Sequence, residues 1–280
     1  MKTQSFILTL LSLTVALLVG SCSQNEKKSV INPIKFQTCT LDRSFDGDST
    51  MPSLTLSLKM EYPISFSDAN ILKQIQLSVI QSVTGGTIND SATITPEYEM
   101  EKMASNMIND HRQRISEIKK NPQLEDGDCN SSTYYKTSQE VLFNQDGLLT
   151  IQTTDSSFYG GSQGIKFLYF NNFDLSTGKD LNYNDLFIED SEDIIGSFIV
   201  QKLMDQFEVT NAKQLDEIGF IDIEHSLPID KFYLEKSGIT FVYNPEDIAI
   251  SHLGVIKVFL PYEMVSFLMK EDSPIAKYAD

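Results

Sequence analysis

Leu54, Leu56, Leu58, Met60 and Tyr62 alternate with Thr55, Ser57, Lys59 and Glu61. A period of two places the apolar side chains on one face of a strand and the polar ones on the other. The stretch from Lys35 to Phe45 just upstream reads as a strand as well. The period changes after Pro63: Ser67-Asp68 can cap a helix in which Ile71, Leu72, Ile75, Val79, Ile80 and Val83 recur at helical spacing, and Gly85-Gly86 closes it. Thr95-Pro96 opens a second helix, with Met100, Met103, Met107, His111, Ile115 and Ile118 along one face and charged residues opposite.

From Asn121 to Ser132 the chain is polar and turn-rich, and then it turns β-dense. Thr133 to Asn144 and Leu148 to Tyr159 flank Gln145-Asp146-Gly147, the pattern of a hairpin. Ile165 to Asn171 is apolar on both faces and predicts a central strand, followed by a turn at Ser176-Thr177-Gly178-Lys179. Acidic residues after Asp190-Ser191 open a third helix carrying Ile194, Ile195, Phe198, Ile199, Leu203, Met204 and Phe207. Phe232 to Tyr243 is a second hairpin turning at Lys236-Ser237-Gly238, Val255 to Leu260 a last buried strand, and Pro261 starts a short helix through Met269. Strands and helices in blocks, without a βαβα rhythm, predict an α+β fold of mainly antiparallel sheets with helices packed on one side, in two lobes. Residues 1–21 read as a signal peptide, 22–31 as a polar leader, 32–155 as an N-terminal lobe and 156–270 as a C-terminal domain.

The beginning of the chain has its own signature. Met1-Lys2 precedes an apolar run from Phe6 to Leu18, too short to cross a bilayer comfortably, and small residues then lead into Cys22 and a polar stretch. This is similar to the lipobox of bacterial lipoproteins, which implies cleavage ahead of Cys22, acylation of that cysteine and a body tethered to a membrane of the cell envelope, facing the periplasm or the exterior. Without residues 1–21 the chain has 21 Lys and Arg against 39 Asp and Glu, a formal charge of −18. That charge argues against nucleic acid as a partner and favours a basic protein or cationic ligand. Cys39 and Cys129 remain, and they are the candidates for a disulfide in a compartment that permits one.

Candidate chemistry is sparse. Gly160-Gly161-Ser162-Gln163-Gly164 matches the G-x-S-x-G nucleophile elbow, with His225, Asp230, Asp247 and His252 downstream. An elbow needs a strand before the serine and a helix after it, whereas Ile165 to Phe170 is β-branched and aromatic, so the glycines fit a turn between strands better. A hydrolase of cell-wall or glycan esters using Ser162 is the alternative reading. The three histidines lack metal-ligand spacing, Glu125-Asp126-Gly127-Asp128 lacks the distal glutamate of a calcium loop, and there is no P-loop or dinucleotide fingerprint, so neither a metal nor a cofactor is expected. Asp48-Ser49-Thr50 and Asp90-Ser91-Ala92 resemble a short O-glycosylation sequon of some anaerobic Gram-negative bacteria.

Tyr159 to Gly164, Tyr169 to Phe173, Asp174-Leu175-Ser176-Thr177-Gly178-Lys179 and Leu181 to Phe187 together resemble the domain of unknown function 3298 family, as do Phe232 to Pro245, Gly254 and Val258 to Tyr262. The resemblance covers roughly residues 156–268. That family includes the extracytoplasmic domain of the lysozyme-sensing anti-sigma factor RsiV and an accessory region of a peptidoglycan deacetylase. The resemblance therefore implies a non-catalytic binding or sensing module working at the cell wall, with lysozyme or peptidoglycan as ligand. Gln163 stands where the family pattern has a histidine, so a role needing an imidazole there does not transfer. The loop Tyr159, Gly160, Gly161, Ser162, Gln163 and Gly164 is the first candidate for ligand binding, since special loops on a rigid sheet often carry function.

Overall fold

The computed structural model describes residues 32–47, 52–86, 94–121, 132–158, 164–221, 223 and 230–279. Its first sheet has five strands in the order β1-β2-β3-β4-β5: β1 Lys35–Phe45, β2 Leu54–Ser65, β3 Thr133–Gln145, β4 Leu148–Phe158 and β5 Ile165–Asp174. Neighbours run antiparallel except β2 and β3, which are parallel. A parallel pair needs a crossover, and helices α1 (Ala69–Thr84) and α2 (Pro96–Lys120) lie within it. Leu54, Leu56, Leu58 and Met60, all at most 3% exposed, form the buried face of β2 beneath those helices. Each such side chain contributes roughly 1.5–3 kcal/mol on burial.

Local chemistry sets the ends of the helices. The Asp68 carboxylate accepts from Asn70 N and Ile71 N at 2.8 and 3.1 Å, and Gly85, at φ 63°, ends α1 with its N–H on Gln81 O. Thr95 Oγ1 accepts from Tyr98 N at the start of α2, where Pro96 fills the first turn. His111 lies on the inner stripe of α2, with Nε2 2.9 Å from Pro52 O and its ring edge-on to Phe45. Asp146 (φ 51°) and Gly147 (φ 79°) supply the two left-handed residues of a two-residue hairpin turn between β3 and β4.

The C-terminal part holds a three-stranded antiparallel sheet, β6 (Phe232–Leu234), β7 (Gly238–Tyr243) and β8 (Ile256–Pro261). Around it pack α3 (Tyr183–Leu186), α4 (Glu192–Gln206), α5 (Ala212–Ile218) and α6 (Tyr262–Val265). Every residue of β7 is buried. The third predicted helix is α4, whose Ile195, Ile199 and Leu203 face the core. The result is the mixed α+β fold that the blocks of strands and helices imply. α1 and α2 cover one face of the large sheet, and the other helices pack on the core of the small one. No helix among the described residues is long and apolar enough to cross a membrane.

Two expectations need correction. β5 is an edge strand, with Ile165, Lys166 and Tyr169 exposed, because its outer side meets the Asn244 side chain and a single backbone bridge between Phe173 and Asp180, and no further strand of the same sheet. A division after residue 155 falls inside β4, in the middle of continuous pairing with β3 and β5. β4 separates the two cores: Leu148 belongs to the C-terminal one, and Leu149 and Ile151 belong to the one under α1.

Candidate ligand-binding face

Pairing partners in a sheet share a face, so the register of β1 to β5 determines what gathers on the side opposite α1 and α2. One row across the sheet runs Asp42, Ser57, Lys136, Ser156 and Lys166. The next runs Thr40, Lys59, Ser138 and Thr154 and stops at buried Leu168. A third brings together Thr38 and Glu61 on one side and Glu140, Gln152 and Phe170 on the other. At the end of this face Tyr134 stacks on Phe158, ring centroids 6.0 Å apart and nearly parallel, with Tyr134 exposed.

The C-terminal part covers only the β4–β5 side of this face. There Asn172 donates to Phe232 O at 2.9 Å and accepts from Leu234 N at 3.0 Å, and Thr150 Oγ1 donates to Leu234 O. Asn244 clasps the outer edge of β5, accepting from Leu168 N at 2.8 Å and donating to Leu168 O at 3.0 Å. The β1–β3 side stays open as a polar depression of about 450 Å³. Its polar groups are partly organised: Lys59 Nζ on its lining lies 3.0 Å from Glu61 Oε1 beside it, where Thr38 Oγ1 also donates to Glu61, and Gln152 Nε2 donates to Thr154 Oγ1 within it. Hydroxyls, an amide, ammoniums and carboxylates in rows, with an aromatic pair at one end, can hydrogen-bond a flat polar ligand and stack on an apolar face of it.

Of the sequence-predicted site residues, Gly164 and Cys39 lie among those described. Gly164 sits against Tyr134, and a Cβ there would come 2.5 Å from Tyr134 Oη and 3.3 Å from Ser157 O. Cys39 is a buried free thiol 3.7 Å from Glu97 Oε1, and burial together with the Glu97 charge pushes its pKa up. Cys22, Cys129, Tyr159, Gly160, Gly161, Ser162, Gln163, His225, the sequon matches and residues 125–128 lie outside the described residues. β4 ends at Phe158 and the next described element after Ser162 is strand β5 from Ile165, where a nucleophile elbow needs a helix. Asp247 is held by Lys231 at 2.7 Å and accepts from Asn244 N, and His252 is exposed. No group of three or more metal-ligating side chains gathers among the described residues. The polar rows escaped the sequence reading because only the strand register shows that Ser57, Lys136 and Ser156 are neighbours. The signal was the wet half of the alternation in β2, β3 and β4.

The motif residues, by contrast, have structural work. The Asp174 carboxylate accepts from Ser176 N and Oγ and from Thr177 Oγ1, and Gly178 takes φ 78° with its N–H on Asp174 O. Lys179 pairs with Asp185, which also accepts from Asn182 N. At Gly238 a Cβ would stand 2.4 Å from Leu260 O, so the β7–β8 pairing excludes larger residues. These contacts build the turns and seams that join the small sheet to the large one.

Residues 184–263 match DUF3298. That family is described as a protein of unknown function, and the matched stretch runs from α3 to α6. Two solved structures share the fold. One is a DUF3298 family member from Bacteroides fragilis, 23% identical at a TM-score of 0.77, with 90% of this chain and 99% of that chain covered. The other is a DUF3298 family protein from Pseudomonas aeruginosa, 15% identical at a TM-score of 0.54, covering 86% and 96%. The first covers 90% of this chain, so the shared fold includes the strands before the DUF3298 match as well as the match itself. No curated protein matches the chain.

Proposed function

We propose that this chain is a non-catalytic binding module, fixed to a bacterial cell envelope through acyl chains on Cys22, that takes an extended hydroxyl-rich glycan such as the sugar strand of peptidoglycan on the open face of its large sheet. The observation that carries this reading is the row of hydrogen-bonding side chains Asp42, Ser57, Lys136 and Ser156, with Lys59, Ser138 and Thr154 beside it and Tyr134 on Phe158 at its end. Sugars offer hydroxyls to such rows and a C–H face to an aromatic ring. The family resemblance supplies the cell-wall context. Sedimentation of the purified protein with insoluble peptidoglycan tests it: Tyr134→Ala and Lys136→Ala should each weaken retention at least fivefold, and retention unchanged in both would dismiss the face.

The charge of −18 favours a second ligand, a basic protein such as the lysozyme that the resemblance implies. A complex with lysozyme should form at low salt and weaken as salt is added, and its absence at low salt would remove this reading. The anchor is checked by mass spectrometry of the native protein, which should find an amino-terminal acylated Cys22. The hydrolase alternative predicts fluorophosphonate labelling that disappears in Ser162→Ala.

A further inference from the structure

We infer that the surface formed by α4 and the turn after α6 docks a basic segment of another protein, which sets an apolar side chain against Phe267. Phe267, in the 3₁₀ turn Ser266–Leu268, is 63% exposed, the most of the large hydrophobic residues described. Its ring meets Phe198 of α4 edge-on, centroids 6.4 Å apart. Ile194 lies one turn before Phe198 on the same side of α4 and is exposed. Ile188 is exposed too, and its N–H bonds Leu268 O at 2.9 Å, which places it beside the Phe267 turn. Phe198 and Phe267 are thus in ring contact, Ile194 lies one turn along the helix from Phe198, and Ile188 lies on the segment bonded to the Phe267 turn, a grouping where single scattered apolar residues would need no account.

Carboxylates rim this patch. Glu189, Asp190, Glu192 and Asp193 precede or begin α4, and Glu263 lies one turn before Phe267; all five are exposed. Among the described residues none of them makes an ion pair. Glu192 and Asp193 suit the positive end of α4 and need no partner. The same explanation covers Glu263 in the first turn of α6, but it does not reach Glu189 or Asp190, and it leaves the exposed phenylalanine without a reason. Lys202, one turn beyond Phe198, is the basic residue on this side of the helix. A second copy of the chain would bring the same acidic rim against itself. Charge complementarity therefore selects a basic occupant, while the apolar centre selects one that carries a hydrophobic side chain.

This inference rests on the reading of a basic protein ligand and gives it a place, separate from the polar sheet face. The test uses the purified full chain and two labelled peptides of equal length and charge, one with two Lys-Lys-Leu-Phe-Lys-Lys repeats and one with Ser-Ser in place of Leu-Phe. Fluorescence anisotropy at low salt should find the apolar peptide bound at least tenfold more tightly. Phe267→Ser and Ile194→Ser, each at an exposed position and each checked for native circular dichroism, should bring the two peptides to within twofold of each other. Glu189→Gln combined with Asp190→Asn should weaken both peptides severalfold. No binding, equal binding of the two peptides by the wild type, or a preference that survives both serine variants would overturn the inference. A lysozyme complex unaffected by Phe267→Ser would also overturn it, while the broader reading of a basic ligand would stand.

Discussion

Asn172 and Asn244, each 3% exposed, do in this molecule what a strand pairing would do elsewhere. Each amide satisfies one backbone N–H and one carbonyl across the seam between the two sheets. Asn172→Leu would leave Phe232 O and Leu234 N buried without partners, at roughly 1–3 kcal/mol for each unsatisfied group. Urea denaturation should therefore find the variant less stable by about 3 kcal/mol with an unchanged m-value. Neither asparagine was legible as structural in the sequence, since a polar residue in an apolar run reads the same whether it faces water or a seam. Asp185 gives a pH signature. Burial alone would push its carboxyl up, but the hydrogen bonds from Lys179 Nζ and Asn182 N, with the Lys179 and Lys270 charges, hold it below the usual carboxylate range. A depressed folded pKa contributes stability that is complete above the unfolded value, about 3.9, and lost as pH falls through the folded one. Thermal melts should accordingly find Asp185→Asn less stable than wild type at pH 6, with the gap closing below pH 4.

Among the elements, α1 was the most readable, because its cap, its apolar stripe and its terminal glycines all point the same way. Asp68→Ala should cost about 1 kcal/mol by removing the acceptor for Asn70 N and Ile71 N, which a shifted urea midpoint would register. The short helices α3 and α5 went unpredicted: at four and seven residues they offer too little periodicity, and packing holds them in place. β5 misled for a different reason. An apolar strand is expected at the centre of a sheet, yet here Leu168, Asn172 and Phe173 are buried by other elements while Ile165, Lys166 and Tyr169 are exposed. The polar rows of the candidate face belong to this scale too, being made by register and by no single strand.

For the molecule as a whole, charge is the term that composition alone supplies. Residues 156–280 contain 9 Lys and Arg against 21 Asp and Glu, a formal −12 that crowds acidic groups onto the C-terminal part. Screening this self-repulsion should stabilise the fold, so the melting temperature is expected to rise by a few degrees between 20 and 300 mM sodium chloride. A fall would mean that attractive ion pairs dominate instead. Because β4 lines both cores, tyrosine fluorescence and far-ultraviolet circular dichroism should follow one common transition.

The order of the strands and of the longer helices, the caps, the hairpin turns and the acid excess could all be read along the chain, because each depends on neighbours within a few residues. The parallel pairing of β2 with β3, the edge position of β5, the two asparagine clasps and the open polar face depend on which distant segments come side by side. That choice is made by burying Leu54 to Met60 beneath α1 and α2 and Leu148 beneath the small sheet, and local periodicity does not encode it.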